Sequence, residues 1–104
     1  MTKAIAYIDE NYMKQPGLES ISKAAGVSLQ HLCRLFRQTL NCRPMEYITK
    51  RKIQAAKMLL AETQKTVDQI AEETGFCDSS YFCKIFKRFE SITPSQFRSI
   101  EQAL

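Results

Sequence analysis

The chain has 104 residues, 44% of them hydrophobic and 25% charged, and carries a formal net charge of +4. This length suits one domain, or two small lobes sharing a linker, and leaves little room for a deep pocket or a second, sensing domain. The hydrophobic fraction is too high for a disordered tail, no stretch approaches the ~20 apolar residues of a membrane span, and the early Asp9 and Glu10 speak against a secretory leader.

Ile5, Ile8 and Tyr12, with Ala4 beside them, recur at helical spacing and predict an amphipathic helix from about Lys3 to Met13, ended by Pro16-Gly17. A second helix is expected from about Leu18 to Ala25, stopping at Gly26, which can turn left-handed. Ser28 suits the N-cap of a third helix reaching about Leu40, with Leu32, Leu35, Phe36 and Leu40 as its apolar stripe. Pro44 fits the first turn of a fourth helix, which carries Tyr47, Ile48, Ala55, Ala56, Leu59 and Leu60 to about Ala61. Thr66-Val67-Asp68-Gln69 has the form of a capping box, so a fifth helix starts near Val67 and ends by Gly75. Asp78 or Ser79 caps a sixth, with the stripe Phe82, Ile85, Phe86 and Phe89. Thr93-Pro94-Ser95-Gln96 opens a seventh. Sustained two-residue alternation is missing. The chain reads as all-α: seven helices with short loops.

Cys33, Cys42, Cys77 and Cys83 form no CxxC pair, and His31 is the one histidine, a set that does not suggest zinc. No metal or cofactor is expected, and a cytoplasmic compartment with reduced thiols is the simplest reading. An enzyme is not expected either. The pattern offers no Ser/His/Asp set, no carboxylate pair in a plausible cleft and no phosphate loop.

The chain also repeats itself. Leu18, Ile21, Gly26 and Val27 recur as Val67, Ile70, Gly75 and Phe76. After a one-residue insertion, Leu32, Cys33, Arg34, Leu35, Phe36, Arg37 and Pro44 recur as Phe82, Cys83, Lys84, Ile85, Phe86, Lys87 and Pro94. A short helix, a glycine turn and a longer basic helix are thus written twice. Charge follows the repeat. Over 28–61, Arg34, Arg37, Arg43, Lys50, Arg51, Lys52 and Lys57 face only Glu46, whereas 62–75 sets Lys65 against Glu62, Asp68, Glu72 and Glu73. Local basic surface of this kind suits a polyanion.

A helix-turn-helix lays its second helix in the major groove of duplex DNA, so that helix needs an apolar inner face and a donor-rich outer one. Off the apolar stripes lie Gln30, His31, Cys33, Arg34, Arg37 and Gln38 in the first copy. In the second lie Ser79, Ser80, Cys83, Lys84, Lys87 and Arg88. Arg forks onto guanine and Gln onto adenine, each worth ~1–3 kcal/mol of discrimination, so the first copy is expected to read bases more sharply. Phosphate contacts are assigned to His31, Arg43, Lys50, Arg51, Lys87 and Arg88. A helix over 44–61 is about 27 Å long at ~1.5 Å per residue, slightly short of the ~34 Å between successive major grooves on one face. Cys33 and Cys83 occupy equivalent places. Two small packing residues are the plain interpretation; thiols activated by Arg34 and Lys84 are the sharper one. The competing function is an α-helical module that binds an acidic protein without reading DNA.

Several motifs sharpen this reading: Ile70-Ala71, Gly75-Phe76, Ser80-Tyr81-Phe82, Ile85-Phe86-Lys87, Thr93-Pro94 and Phe97-Arg98, with Tyr47-Ile48, Ala56 and Leu59-Leu60 in the fourth helix. In these motifs the chain resembles the DNA-binding domain of AraC/XylS transcription regulators over nearly its whole length. The resemblance implies two helix-turn-helix subdomains, about 3–43 and 62–104, joined by a linker helix over about 44–61. It implies readers over about 28–40 and 79–90 on two consecutive major-groove segments, with base contacts from Gln30, Cys33 and Arg34, joined by Arg37, and from Ser79, Ser80, Cys83 and Lys84. It also implies double-stranded DNA as the partner, with RNA polymerase as a candidate and no membrane. Family members often have Gly where Asn41 and Ser91 stand, Arg at Lys52 and Tyr at Phe97. Ser tolerates a left-handed backbone less well than Asn, so the loop before the seventh helix is where a difference is expected. Such regulators usually add an N-terminal effector or dimerisation domain; none is seen in this chain, and a fragment of a longer regulator is the favoured expectation.

Overall fold

The computed structural model describes residues 2–14 and 16–103, so the ends of the expected domain span, Met1 and Leu104, lie outside the described residues. Among those residues the elements are α1 (Thr2–Asn11), α2 (Leu18–Ala25), α3 (Leu29–Leu40), α4 (Pro44–Glu62), α5 (Val67–Glu73), α6 (Ser79–Glu90) and α7 (Pro94–Ala103), with no strand. The all-α expectation holds. Boundaries shift slightly: α1 ends at Asn11, and Tyr12–Lys14 tighten into a 3-10 turn, as helix ends often do.

The local signals explain where the helices start and stop. Gly26 caps α2 at φ 72°, and its N–H donates back to Lys23. Ser28 Oγ accepts from the His31 N–H at 3.2 Å. Thr66 and Gln69 exchange both capping-box bonds, at 3.1 and 2.9 Å. Of the two candidates for α6, Asp78 is the cap, taking the Tyr81 N–H at 2.7 Å. Thr93 and Gln96 close the same reciprocal pair before α7. Each cap satisfies donors that a helix start leaves orphaned.

The chain divides into two compact units, Met1–Arg51 and Lys52–Leu104, and the boundary falls inside α4. In the first unit Ala4 and Ile8 of α1, Ile21 of α2, Leu32 and Phe36 of α3, Cys42, and Ile48 of α4 form the core, with Tyr47 packed edge-on to Phe36 at 5.8 Å. In the second, Ile53, Ala56 and Leu60 of α4 join Ile70, Ala71, Phe76, Phe82, Ile85 and Phe86. The residues of α4 thus serve two cores, the earlier ones unit 1 and the later ones unit 2.

Two expected core positions fall elsewhere. Leu40 continues the α3 stripe but is 38% exposed, because it is the last helical residue and the chain reverses at Asn41. Cys42, just past that reversal, is buried instead. Phe36, Phe82 and Phe86 are fully buried as expected, whereas Phe89 is only partly so.

Candidate nucleic-acid interface

Each unit has a short helix, a turn and a longer helix. The turns are held by left-handed glycines, Gly26 at φ 72° and Gly75 at φ 86°. Any side chain at either position would be strained, because L-residues disfavour that region. In unit 2 the turn has a further brace. Lys52 Nζ donates to the Gly75 carbonyl at 2.9 Å and lies 5.3 Å from the Phe76 ring centroid. Burial pushes the Lys52 ammonium below its ordinary pKa, which is the cost of this post. Lys52 therefore has a structural task that its charge alone did not reveal.

The exposed face of α3 carries Gln30, His31, Arg34, Arg37 and Gln38, with Cys33 exposed beside them. The exposed face of α6 carries Ser80, Tyr81, Lys84, Lys87 and Arg88 in the same register, while Ser79 and Cys83 are half-buried. Positions i, i+1, i+4, i+7 and i+8 subtend about a third of a turn at ~100° per residue. Both longer helices thus present one continuous polar stripe opposite the apolar one that enters their core. Tyr81 is the residue on this stripe that sequence reasoning passed over. It is 48% exposed, and its ring is braced by Phe76 at 6.2 Å. Its repeat counterpart His31 was the available signal.

The other assigned residues divide by partner. Arg43 and Lys50 are exposed. Arg51 is engaged within unit 1: its Nε donates to Asp9 at 3.1 Å and its guanidinium sits 4.8 Å from the Tyr12 ring centroid. Lys57 pairs with Glu90 at 3.0 Å and Lys65 with Glu73 at 2.6 Å. Arg98 donates to the carbonyls of Leu60 and Thr63, closing the C-terminal end of α4. By contrast Arg34, Arg37, Arg43, Lys50, Lys84, Lys87 and Arg88 have no carboxylate partner among the described residues. The cations of the two polar stripes are all in this unpaired set.

The two cysteines at equivalent sequence positions are not equivalent in space. Cys33 is exposed, whereas Cys83 is half-buried against the unit 2 core. Burial, reinforced by Asp68, pushes the Cys83 thiol up. A thiolate activated by Lys84 at that position is therefore corrected: desolvation and the nearby carboxylate act against it. Among the described residues no cluster of three potential ligands could hold a metal, and no helix is long and apolar enough to cross a membrane.

A helix-turn-helix domain family matches residues 21–100. The lactose operon transcription activator of Staphylococcus xylosus is 32% identical over 95 residues, which are 91% of this chain and 34% of that protein. A transcriptional regulator from Chromobacterium violaceum, described as having an AraC-type DNA-binding domain, superposes with a TM-score of 0.92. It is 29% identical, and the match covers 96% of this chain and 89% of that one. The C-terminal domain of the two-component response regulator yesN from Fusobacterium nucleatum gives a TM-score of 0.83 at 31% identity, covering 91% and 93%. The chain spans about a third of the length of the curated relatives it matches.

Proposed function

The chain belongs to the AraC-type helix-turn-helix family, and we propose that it is the DNA-reading part of a bacterial transcription regulator, binding duplex DNA sequence-specifically through α3 and α6. The observation that carries this reading is the distribution of unpaired charge. Arg51, Lys52, Lys57, Lys65 and Arg98 are tied to carboxylates, carbonyls or rings, whereas no cation on the α3 or α6 stripe has a carboxylate partner among the described residues. Unpaired cations interleaved with Gln, Ser and His donors suit phosphate and base edges together.

Within that function, base reading is assigned to Gln30, Cys33, Arg34 and Arg37 on α3 and to Ser79, Ser80, Cys83 and Lys84 on α6. The half-burial of Ser79 and Cys83 makes Ser80 and Lys84 the main readers of the second unit. Backbone phosphates fall to His31, Arg43, Lys50, Lys87 and Arg88, and to Arg51 if it exchanges Asp9 for DNA. The place of action is the cytoplasm. RNA polymerase is a further proposed partner, supported by the Staphylococcus xylosus relative's being an activator.

Selection from a random duplex pool, followed by a salt titration on the winner, tests the proposal. Two short elements about one helical turn apart should emerge, and log K should fall steeply with log salt as counterions are released. Retention of every sequence alike, with a flat salt dependence, would instead favour the module that binds an acidic protein.

A further inference from the structure

The first unit contains a cavity that joins three residues assigned to DNA, Cys33, Arg37 and Arg43, to four that the reading of DNA does not use, Leu18, Cys42, Pro44 and Met45. It has a volume of about 320 Å³ and lies between the start of α2, the middle of α3 and the α3–α4 loop. Leu18, Pro44 and Met45 give it apolar wall, Cys33 and Cys42 contribute thiols, and Arg37 and Arg43 bring two guanidiniums. Neither guanidinium is paired with a carboxylate among the described residues. The nearest acid in sequence, Glu46, is engaged by the Arg43 backbone N–H at 3.4 Å. The volume is at the small end of ordinary ligand pockets, and apolar walls with a few convergent polar groups are the usual make-up of such pockets.

The repeat supplies an internal control. The counterparts of Leu18, Cys33, Arg37 and Arg43 are Val67, Cys83, Lys87 and Thr93. In unit 2, Val67 and Cys83 pack against the core, and the second guanidinium is replaced by a threonine that caps α7. Unit 2 also has a cavity, of about 430 Å³, lined by Ile92, Ser95, Gln96, Ser99 and Ile100, but no cation lines it; the unit 1 cavity carries two forked cations. Arginine's planar fork matches a carboxylate in a way that a lysine or a hydroxyl does not.

From this we infer that the unit 1 cavity binds a compact organic anion. The carboxylate lies between Arg37 and Arg43, and the apolar body rests on Leu18, Pro44 and Met45. Because Arg37 also belongs to the polar stripe of α3, the bound anion takes a cation that DNA needs, so ligand and duplex compete. The competition rests on the proposed DNA reading; the binding of the anion does not.

The test uses cyclohexanecarboxylate as the probe, with cyclohexylmethanol and acetate as controls, followed by amide chemical shifts of the whole chain. Saturable shifts confined to the start of α2, α3 and the α3–α4 loop are expected, with each control at least tenfold weaker. The Met45→Asp variant changes an exposed side chain on the cavity rim, and it should weaken cyclohexanecarboxylate at least tenfold. Ser95→Asp, at the matching place in unit 2, should leave probe affinity unchanged. Equal binding of the alcohol, equal shifts in both units, or no saturable shift would each overturn the site. With the site established, saturating probe should raise the apparent Kd for the selected duplex severalfold; an unchanged Kd would overturn the competition. A chain that binds the probe but no duplex sequence-specifically would reject the proposed function and leave the cavity's ligand class standing.

Discussion

The first unit joins one aromatic pair, Phe36 on Tyr47, to its aliphatic core, whereas the second threads Phe76, Phe82, Phe86 and Phe97 into a continuous run with centroids 5.0 to 5.8 Å apart. Their cations differ in the same sense. Unit 2 commits Lys52 to a turn carbonyl, Lys57 and Lys65 to carboxylates, and Arg98 to the end of α4. Among the described residues, unit 1 commits Arg51 and leaves Arg34, Arg37, Arg43 and Lys50 without carboxylate partners, while unit 2 leaves Lys84, Lys87 and Arg88 so. One duplicated pattern has therefore been weighted two ways, toward internal stability in the second copy and toward external charge in the first.

The largest test of this contrast is core truncation. Phe86→Ala removes a fully buried ring with two aromatic neighbours and should cost about 3–5 kcal/mol. Phe36→Ala, its counterpart with one aromatic neighbour, should cost about 1 kcal/mol less, since each aromatic pair adds ~0.5–1.5 kcal/mol beyond its buried area. Urea denaturation of both variants measures this, and equal losses would remove the asymmetry.

Next comes recognition. Arg34→Ala should relax selectivity at one base position by ~1–3 kcal/mol, while Lys84→Ala should weaken all duplexes more evenly. Competition binding against single-base variants of the selected site distinguishes them. Uniform losses for Arg34→Ala would cancel the sharper role of the first copy.

A smaller effect separates the two helix ends. Asn41 and Ser91 both adopt the left-handed cap, at φ 54° and φ 71°. The loop before α7 thus keeps the same type of C-cap, and Ser91 bears the strain. Left-handed backbone costs ordinary L-residues ~1–2 kcal/mol, and glycine gives part of that back as extra unfolded-chain entropy. Ser91→Gly should stabilise by about 0.5–1 kcal/mol and Asn41→Gly by less, as read from thermal midpoints. A larger gain at Asn41 would reverse the comparison.

The smallest effect is alkaline. Burial raises the Cys42 and Cys83 thiols above the ordinary value of 9.0. Their folded pKa values exceed the unfolded ones, so this contribution is complete below pH 9 and is lost as pH rises from there through the raised values. Replacing both cysteines by Ala should flatten that part of the stability profile above pH 9. An unchanged slope would mean that these thiols titrate alike in folded and unfolded chains.

Much of this architecture was legible without coordinates because its signals are local. Ser28, Thr66, Asp78 and Thr93 act on an N–H three residues away, and Gly26 acts on its own dihedrals. The repeat and the apolar stripes placed α3 and α6 and most of their buried faces. What the sequence alone determined is therefore the helix order, the caps, the duplication and the two polar stripes, all of them fixed by neighbours within a few residues. The tertiary structure decided the rest: that Cys42 is buried while Leu40 is not, that Arg51 meets Asp9 42 residues away and Lys52 meets Gly75 23 residues away, and that a cavity opens beside Cys33 while its copy Cys83 is packed in. Those outcomes depend on which side chains converge when distant helices pack. Residue type and spacing leave that convergence open, because the same pattern, written twice, closed differently each time.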